Sequence, residues 1–255
     1  MAIKSFLNSH HVFNRHEFNA AFFGSVTDAN LLARAINNGK VRRVRHGLYV
    51  SQAERFAGLI PSGFEIADKA VDDAVFCYLS ALQLYGVLHN ESSRTQFYTR
   101  HRAPRFDFAG QEFHPYLVKG KAIDTGQVFL PNGTGYQVTT REQTLVDCLY
   151  RVSLAGGAEN ALRSLAGFKF IDGAKAARLA LRTNKSVCAR LGWVFECMMA
   201  DWGVGEEAIG LLQGALASGP YYFYSSTAPK DSYWAGNWKL YLPYPEEEMR
   251  AWLRG

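Results

Sequence analysis

Cysteine is scarce in this chain and dispersed. Only four occur among 255 residues (Cys77, Cys148, Cys188, Cys197), with no C-x-x-C pair among them. That spacing argues against a disulfide framework, and against a zinc site shared with the seven scattered histidines. Long apolar runs are missing too. The longest, Ala74 to Leu88, is broken by Ser80, Gln83 and Gly86 and falls short of the roughly 20 residues that cross a bilayer. The opening residues, MAIKSFLNSHH, have no extended apolar core and no small-residue cleavage site. No secretion signal is read, no membrane partner is expected, and the expected location is the cytoplasm. Internal repeats and low-complexity segments are also absent.

Catalytic signatures are equally thin. No acid is followed two residues later by Lys, which common metal-dependent nucleases require. The only acidic i, i+2 pair, Glu246 and Glu248, sits in a run that reads as a solvated helix start, not as the strand pair that holds Mg²⁺ in nucleotidyltransferases. Gly24-Ser25 is like the start of that superfamily's motif, but no acidic pair follows it. The phosphate-loop, dinucleotide and nucleophile-elbow patterns do not occur. The expectation is a protein that is not an enzyme, with no metal and no cofactor.

What the chain does have is charge in one place. Residues 1–60 hold eight basic and three acidic residues, whereas residues 61–255 hold 20 of each. All of the net charge of +5 therefore sits in the first quarter. Such asymmetry points to a polyanion-binding module on a neutral body. Within it, Lys40 to Val50 reads KVRRVRHGLYV: four basic residues, a His46-Gly47 turn, then a β-prone run. A two-residue x-Gly connection between such segments reads as a tight hairpin, because Gly supplies the positive φ required there.

Three short helical segments precede that hairpin. Residues 2–8 present Ile3, Phe6 and Leu7 on one side. Asn14 can cap a second helix, Arg15 to Phe23, ended by Gly24. Ser25 or Thr27 can cap a third, ending at Asn38-Gly39, with Leu31, Leu32, Ala35 and Ile36 as its apolar face. Asn30, Arg34 and Asn37 fall on the opposite side, at i, i+4 and i+7. A helix of this length fits the major groove, where Asn pairs with adenine edges and Arg with guanine. Its N-terminus at Thr27 suits phosphate. The hairpin then offers Lys40, Arg42, Arg43, Arg45 and His46 to the backbone or minor groove. Helix order, hairpin and charge together read as a winged helix-turn-helix that binds double-stranded DNA. The plainer alternative is a solvated helix face beside a basic edge hairpin.

The basic character ends at Ser51 to Gly63, where Pro61-Ser62-Gly63 suggests a boundary: a DNA-binding domain at 1–60 and a second domain at 61–255. A helix is expected over Phe64 to Ala70, then a short strand and a buried helix capped by Ser80. Between residues 94 and 139 the pattern becomes short aromatic and β-branched runs, with a hairpin at Ala109-Gly110. Thr140-Arg141-Glu142-Gln143 is a capping box opening a helix. Helices near 157–166, 172–183, 186–201 and 205–217 follow, then β character at Tyr221–Ser225 and Trp238–Leu242 and a last helix from Pro245. The expected class is α+β (mixed α/β): an N-terminal winged helix-turn-helix, then a domain with a mostly antiparallel sheet and several helices.

Three stretches, Val41–Val50, the helix Leu79-Ser80-Ala81-Leu82 continuing to Tyr85-Gly86, and Val138–Asp147, together resemble the AbiEi antitoxins of type IV toxin–antitoxin systems. Ala189-Arg190-Leu191-Gly192 and Glu196 are similar to that family's C-terminal helical region. The resemblance implies an autorepressor that binds inverted repeats in its own promoter. It also implies a nucleotidyltransferase-like toxin as functional partner, opposed without a stable direct complex, in abortive infection as a phage defence. A stand-alone transcriptional regulator without a toxin is the alternative, and a DNA-guided enzyme with a cryptic catalytic C-terminal domain is a more distant one.

Overall fold

The computed structural model describes residues 3–22, 26–120, 122–224 and 231–254, with residues 26–29 described by backbone only. The chain opens with α1 (Ile3–Ser9), β1 (Val12–Asn14), α2 (Arg15–Phe22), α3 (Val26–Asn37), β2 (Val41–Arg45) and β3 (Leu48–Ser51). There follow α4 (Gly63–Ala70), β4 (Val75–Phe76) and α5 (Tyr78–Leu84). Strands β5 (Arg94–Thr99), β6 (Phe106–Phe108), β7 (Gln111–Leu117), β8 (Thr125–Phe129) and β9 (Gly135–Thr139) form the middle of the chain. Helices α6 (Arg141–Tyr150), α7 (Ala158–Ala166), α8 (Gly173–Thr183), α9 (Lys185–Trp202) and α10 (Glu206–Gly214) come next. The end is β10 (Tyr221–Tyr222), β11 (Tyr233–Ala235), β12 (Leu240–Leu242) and α11 (Glu246–Arg254). The class is α+β, with a winged-helix order at the N-terminus.

Contacts divide the chain into two compact units: residues 1–74 with 93–119, and residues 75–92 with 120–255. The division therefore does not fall at residue 60. Segments 61–74 and 93–119 pack with the N-terminal elements, because α4 lies against β1, β5 and β7. The cue in Pro61-Ser62-Gly63 marks only the start of α4, where the Ser62 hydroxyl accepts from the Glu65 N–H.

In the first unit α2 starts as expected. Asn14 Oδ1 accepts from the Glu17 N–H at 2.8 Å, and Glu17 Oε2 accepts from the Asn14 N–H at 2.9 Å, a reciprocal capping box. The expected end at Phe23-Gly24 and the Ser25 cap lie outside the described residues. Strand β1 was not expected from sequence. It pairs antiparallel with β3, placing Phe13 opposite Tyr49, so the small sheet has the order β1-β3-β2. Beneath it Phe6, Phe13, Phe18, Leu32, Ala35, Val41 and Tyr49 form one core. Phe6 meets Phe13 and Phe18 edge-on, with centroids 5.1 and 5.4 Å apart. The buried Ser51 hydroxyl donates to the Leu7 carbonyl at 2.7 Å, tying β3 to α1. The same unit contains strands in the order β6-β7-β5.

In the second unit the strand order is β4-β9-β8. The hairpins β6–β7 and β8–β9 are antiparallel, but β5–β7 and β4–β9 run parallel. Antiparallel hairpins are thus joined to parallel pairs: β7 returns from the Ala109-Gly110 turn and lies between β6 and β5. Ser80 is not a cap. Helix α5 begins at Tyr78, and Ser80 is buried inside it. Thr140 does cap α6, accepting from the Gln143 N–H at 3.3 Å. At the centre of α9, Gly192 faces the buried Trp238 ring with no room for a β-carbon. Nearby, Arg190 donates to the carbonyls of Leu149 and Tyr222 at 2.6 and 2.8 Å. Burial draws its guanidinium down to about 10. The residue that looked like a family signature therefore joins three segments of the second unit.

Candidate nucleic-acid interface

Helix α3 separates apolar from polar residues on two faces. Leu32 and Ala35 are buried in the core, while Asn30, Arg34 and Asn37 are exposed together on the other side. The sequence spacing alone dictates this, since i, i+4 and i+7 return to one face at 3.6 residues per turn. Thr27 lies in the first turn of α3, and its side chain is outside the described residues. Helix α3 ends at Asn37, and Gly39 (φ +69°) turns the chain into β2 with Lys40 exposed.

The wing is the β2–β3 hairpin, paired from Val41↔Ser51 to Arg45↔Leu48. Gly47 takes φ +78° at its tip, as the x-Gly signal requires. The Gly47 carbonyl accepts from the Arg15 N–H at 2.8 Å, which fixes the tip to the start of α2. Between Arg43 and Arg45 the register shifts by one residue. That bulge decides where the arginines point. Three residues apart on a regular strand, Arg42 and Arg45 would face opposite ways; one extra residue brings them to the same side.

On that side lies β6, whose Phe106 and Phe108 share a face at i, i+2. The Arg42 guanidinium lies 4.9 Å from the Phe108 ring centroid and that of Arg45 lies 4.7 Å from Phe106. Arg45 also donates to the Ala70 carbonyl at 2.6 Å and is half-buried, and burial lowers its pKa. Arg45 was expected as a DNA contact, but its guanidinium is occupied in seating the wing. Arg42 remains exposed above its ring. Arg43 and His46 are exposed at the tip, with Arg43 Nη2 3.1 Å from His46 Nδ1. The interface thus assembles Asn30, Arg34, Asn37, Lys40, Arg42, Arg43 and His46, with Arg45 behind them.

Sequence reasoning missed the aromatic seat. A signal existed: Phe106-x-Phe108 matches Arg42-x-x-Arg45 once a bulge is allowed, but nothing in the sequence announces the bulge. Beside α3 there is also a cleft of about 460 Å³ with an apolar floor of Leu7, Leu31 and Ala35 and with Arg34 and Lys40 on its rim. Lys4 and Glu54, both exposed, pair across its edge at 2.9 Å. Among the described residues, no cluster of three or more His, Cys, Asp or Glu has the arrangement of a metal site, and no helix is long and apolar enough to cross a membrane.

This architecture defines a class, a winged-helix module within an α+β chain. Among solved structures, the chain is similar to the crystal structure of the RV2827C protein from Mycobacterium tuberculosis. The TM-score is 0.66 at 14% identity, over 94% of this chain and 89% of that one. At that identity the likeness concerns the fold alone. No protein-family model matches the sequence, and no curated protein matches it either.

Proposed function

We propose that this protein is a sequence-specific DNA-binding repressor. The observation that carries the reading is the exposed Asn30–Arg34–Asn37 face of α3 beside a basic, firmly seated wing, in the part of the chain that holds the net charge. In this reading α3 enters the major groove and contacts base edges, while Lys40, Arg42, Arg43 and His46 hold the backbone. The target is double-stranded DNA, most naturally inverted repeats in the protein's own promoter. From the resemblance to AbiEi antitoxins we further propose that the protein acts in the cytoplasm as the antitoxin of a type IV system. Its functional partner is then a nucleotidyltransferase-like toxin, opposed without a stable complex and without catalysis by this chain.

The test of the DNA reading is equilibrium binding to duplex from the protein's own upstream region at several salt concentrations. Phosphates neutralised by Lys40, Arg42 and Arg43 give a log K against log salt slope of about −2.7, or about −3.6 if a fourth cation joins. Asn30→Ala or Arg34→Ala should lower discrimination between the specific and a scrambled duplex, each by about 1–3 kcal/mol. Salt-insensitive affinity, or equal affinity for the two duplexes, would refute the reading. For the antitoxin part, co-expression with a nucleotidyltransferase-like toxin encoded beside it should rescue growth even with the wing arginines removed. Failure of rescue would leave a stand-alone regulator.

A further inference from the structure

The loop between β5 and β6 is a second cationic element that no motif marks. It reads Arg100-His101-Arg102-Ala103-Pro104-Arg105, and Arg100, Arg102 and Arg105 are all exposed. No acidic residue occurs from Arg94 to Phe106. The next acid, Asp107, alternates with Phe106 and Phe108 along β6 and so belongs to the face turned away from the wing arginines. Counted over the whole of 61–255 this charge vanishes against acids elsewhere. Counted along its own stretch it does not: residues 93–119 hold five basic and two acidic residues.

The cation–aromatic contacts settle where the loop lies. Arg42 sits over Phe108 and Arg45 over Phe106, so β6 read backwards runs alongside β2 read forwards. Moving from Arg42 to Arg45 leads to the wing tip at His46-Gly47. Moving from Phe108 to Phe106 leads to Arg105. The loop therefore leaves β6 at the same end as the wing tip. Its other end is pinned within the unit. Thr99 Oγ1 donates to Asp73 Oδ1 at 2.6 Å, and the Arg100 N–H donates to Asp73 Oδ2 at 2.8 Å. The His101 N–H donates to Thr99 Oγ1 at 3.2 Å, and Pro104 fixes φ near the middle. This is a tethered loop presenting cations beside the wing.

We infer that residues 100–105 form a second backbone clamp, gripping duplex DNA phosphates that flank the segment read by α3. The inference rests on the DNA-binding reading above and extends it: the wing and the loop make one cationic track, and the occupied site is longer than a helix and wing alone would cover. Duplex is favoured over single strands because the track adjoins a groove-reading helix and exposes arginines rather than the aromatic platform on which unpaired bases stack.

The experiment uses the full chain and two synthetic duplexes. One carries only the core site, and the other extends it by about one helical turn, ~10 bp, on each side. The wild-type protein should bind the longer duplex with a slope steeper by about 2.7 than the shorter, for about three added phosphates. The combined variant Arg100→Ala, Arg102→Ala, Arg105→Ala should abolish that difference and shorten the hydroxyl-radical footprint, while keeping discrimination of the core sequence. Thermal unfolding should be unchanged, since Asp73 is held by the Thr99 hydroxyl and the Arg100 backbone N–H. Replacing the three by Lys should restore the slope. An unchanged slope and footprint in the alanine variant would overturn the clamp while leaving the α3 reading intact. A loss seen only with single-stranded RNA would overturn the duplex assignment. No binding of either duplex by wild type would instead sink the DNA reading itself.

Discussion

Arg43 and Arg45 lie close together in a basic run, yet their surroundings differ, and substituting each by Ala separates the two proposed roles. Arg45→Ala removes a charged hydrogen bond to the Ala70 carbonyl and a contact over the Phe106 ring. A hydrogen bond from a charged donor is worth about 1.5–3 kcal/mol and a partly exposed cation–aromatic contact about 0.5–1 kcal/mol. Because Arg45 is only half-buried, water replaces part of both, and the expected loss is about 2 kcal/mol. That corresponds to a Tm lower by about 4–8 °C in a chain of this size. Arg43→Ala removes an exposed side chain whose neighbours are His46 and the Arg45 carbonyl. Its Tm should stay within about 1 °C, while the salt slope of DNA binding becomes shallower by about 0.9 for one lost phosphate. Differential scanning fluorimetry and titrations at four salt concentrations measure both quantities on the same preparations. If Arg45→Ala melts like wild type and loses a full phosphate contact, the seating of the wing is wrong. If Arg43→Ala is the one that melts early, the division of labour is reversed.

Three further outcomes follow from other parts of the molecule. Phe13→Ala opens a cavity where β1 meets the core of the N-terminal elements and should cost about 3–5 kcal/mol in chemical denaturation; a loss below 1 kcal/mol would mean that β1 is not part of that core. Gly192→Ala places a methyl against the Trp238 ring, whose Nε1 donates to Glu196 Oε2 at 2.6 Å. It should destabilise the second unit by about 1–3 kcal/mol while leaving DNA affinity of the folded protein unchanged, and equal stability would show that the close approach is absent. Glu17 is titrated by pH: burial raises its pKa, but the Lys69 ammonium and the Asn14 N–H outweigh burial and hold it below its ordinary 4.5. A depressed folded-state pKa contributes stability that is complete above 4.5 and lost as pH falls from there through the folded value. Acid unfolding of Glu17→Gln should therefore be flatter than wild type in that window; an identical profile would remove Glu17 from the linkage.

Much of the local structure was legible because it is encoded by local rules. The Asn14 and Thr140 caps, the Gly47 turn and the exposed face of α3 each depend on residues within one or two turns of each other. The α8 and α9 boundaries, capped by Asp172 and Asn184, were readable for the same reason. What failed was non-local. Strand β1 is three residues long and exists because β3 offers Val50, Tyr49 and Leu48 as partners, not because Val12-Phe13-Asn14 is strongly β-prone. Ser80 looked like a cap because hydroxyl residues favour that position, but the apolar surroundings of α5 buried it within the helix. The parallel pairings β5–β7 and β4–β9 require knowledge of which strand inserts where, and alternation of side chains is silent on that. The candidate site shows the same split. Its reading face followed from helical spacing, whereas the seat under Arg42 and Arg45 depends on a bulge and on a strand some sixty residues away.

The most instructive discrepancy concerns charge. A run of four basic residues, Lys40 to Arg45, reads as four free clamps, and a balance of zero over residues 61–255 reads as an inert remainder. In the folded chain neither count describes what a polyanion meets. Arg45 is committed to a carbonyl and a ring, whereas Arg42 rests on Phe108 and stays exposed; both contacts stiffen the wing. In the proposed DNA-binding role that stiffness would have a use: a wing held in place beforehand loses less conformational entropy on binding than a freely moving hairpin. The strand that forms the seat also leads, at the wing-tip end, to Arg105 and the exposed loop that carries Arg100 and Arg102. Phe106 thus does two things at once. Its ring fixes Arg45, and its place in the chain fixes where Arg105 emerges, so a single short strand sets both the orientation of the wing and the extent of the basic surface beside it.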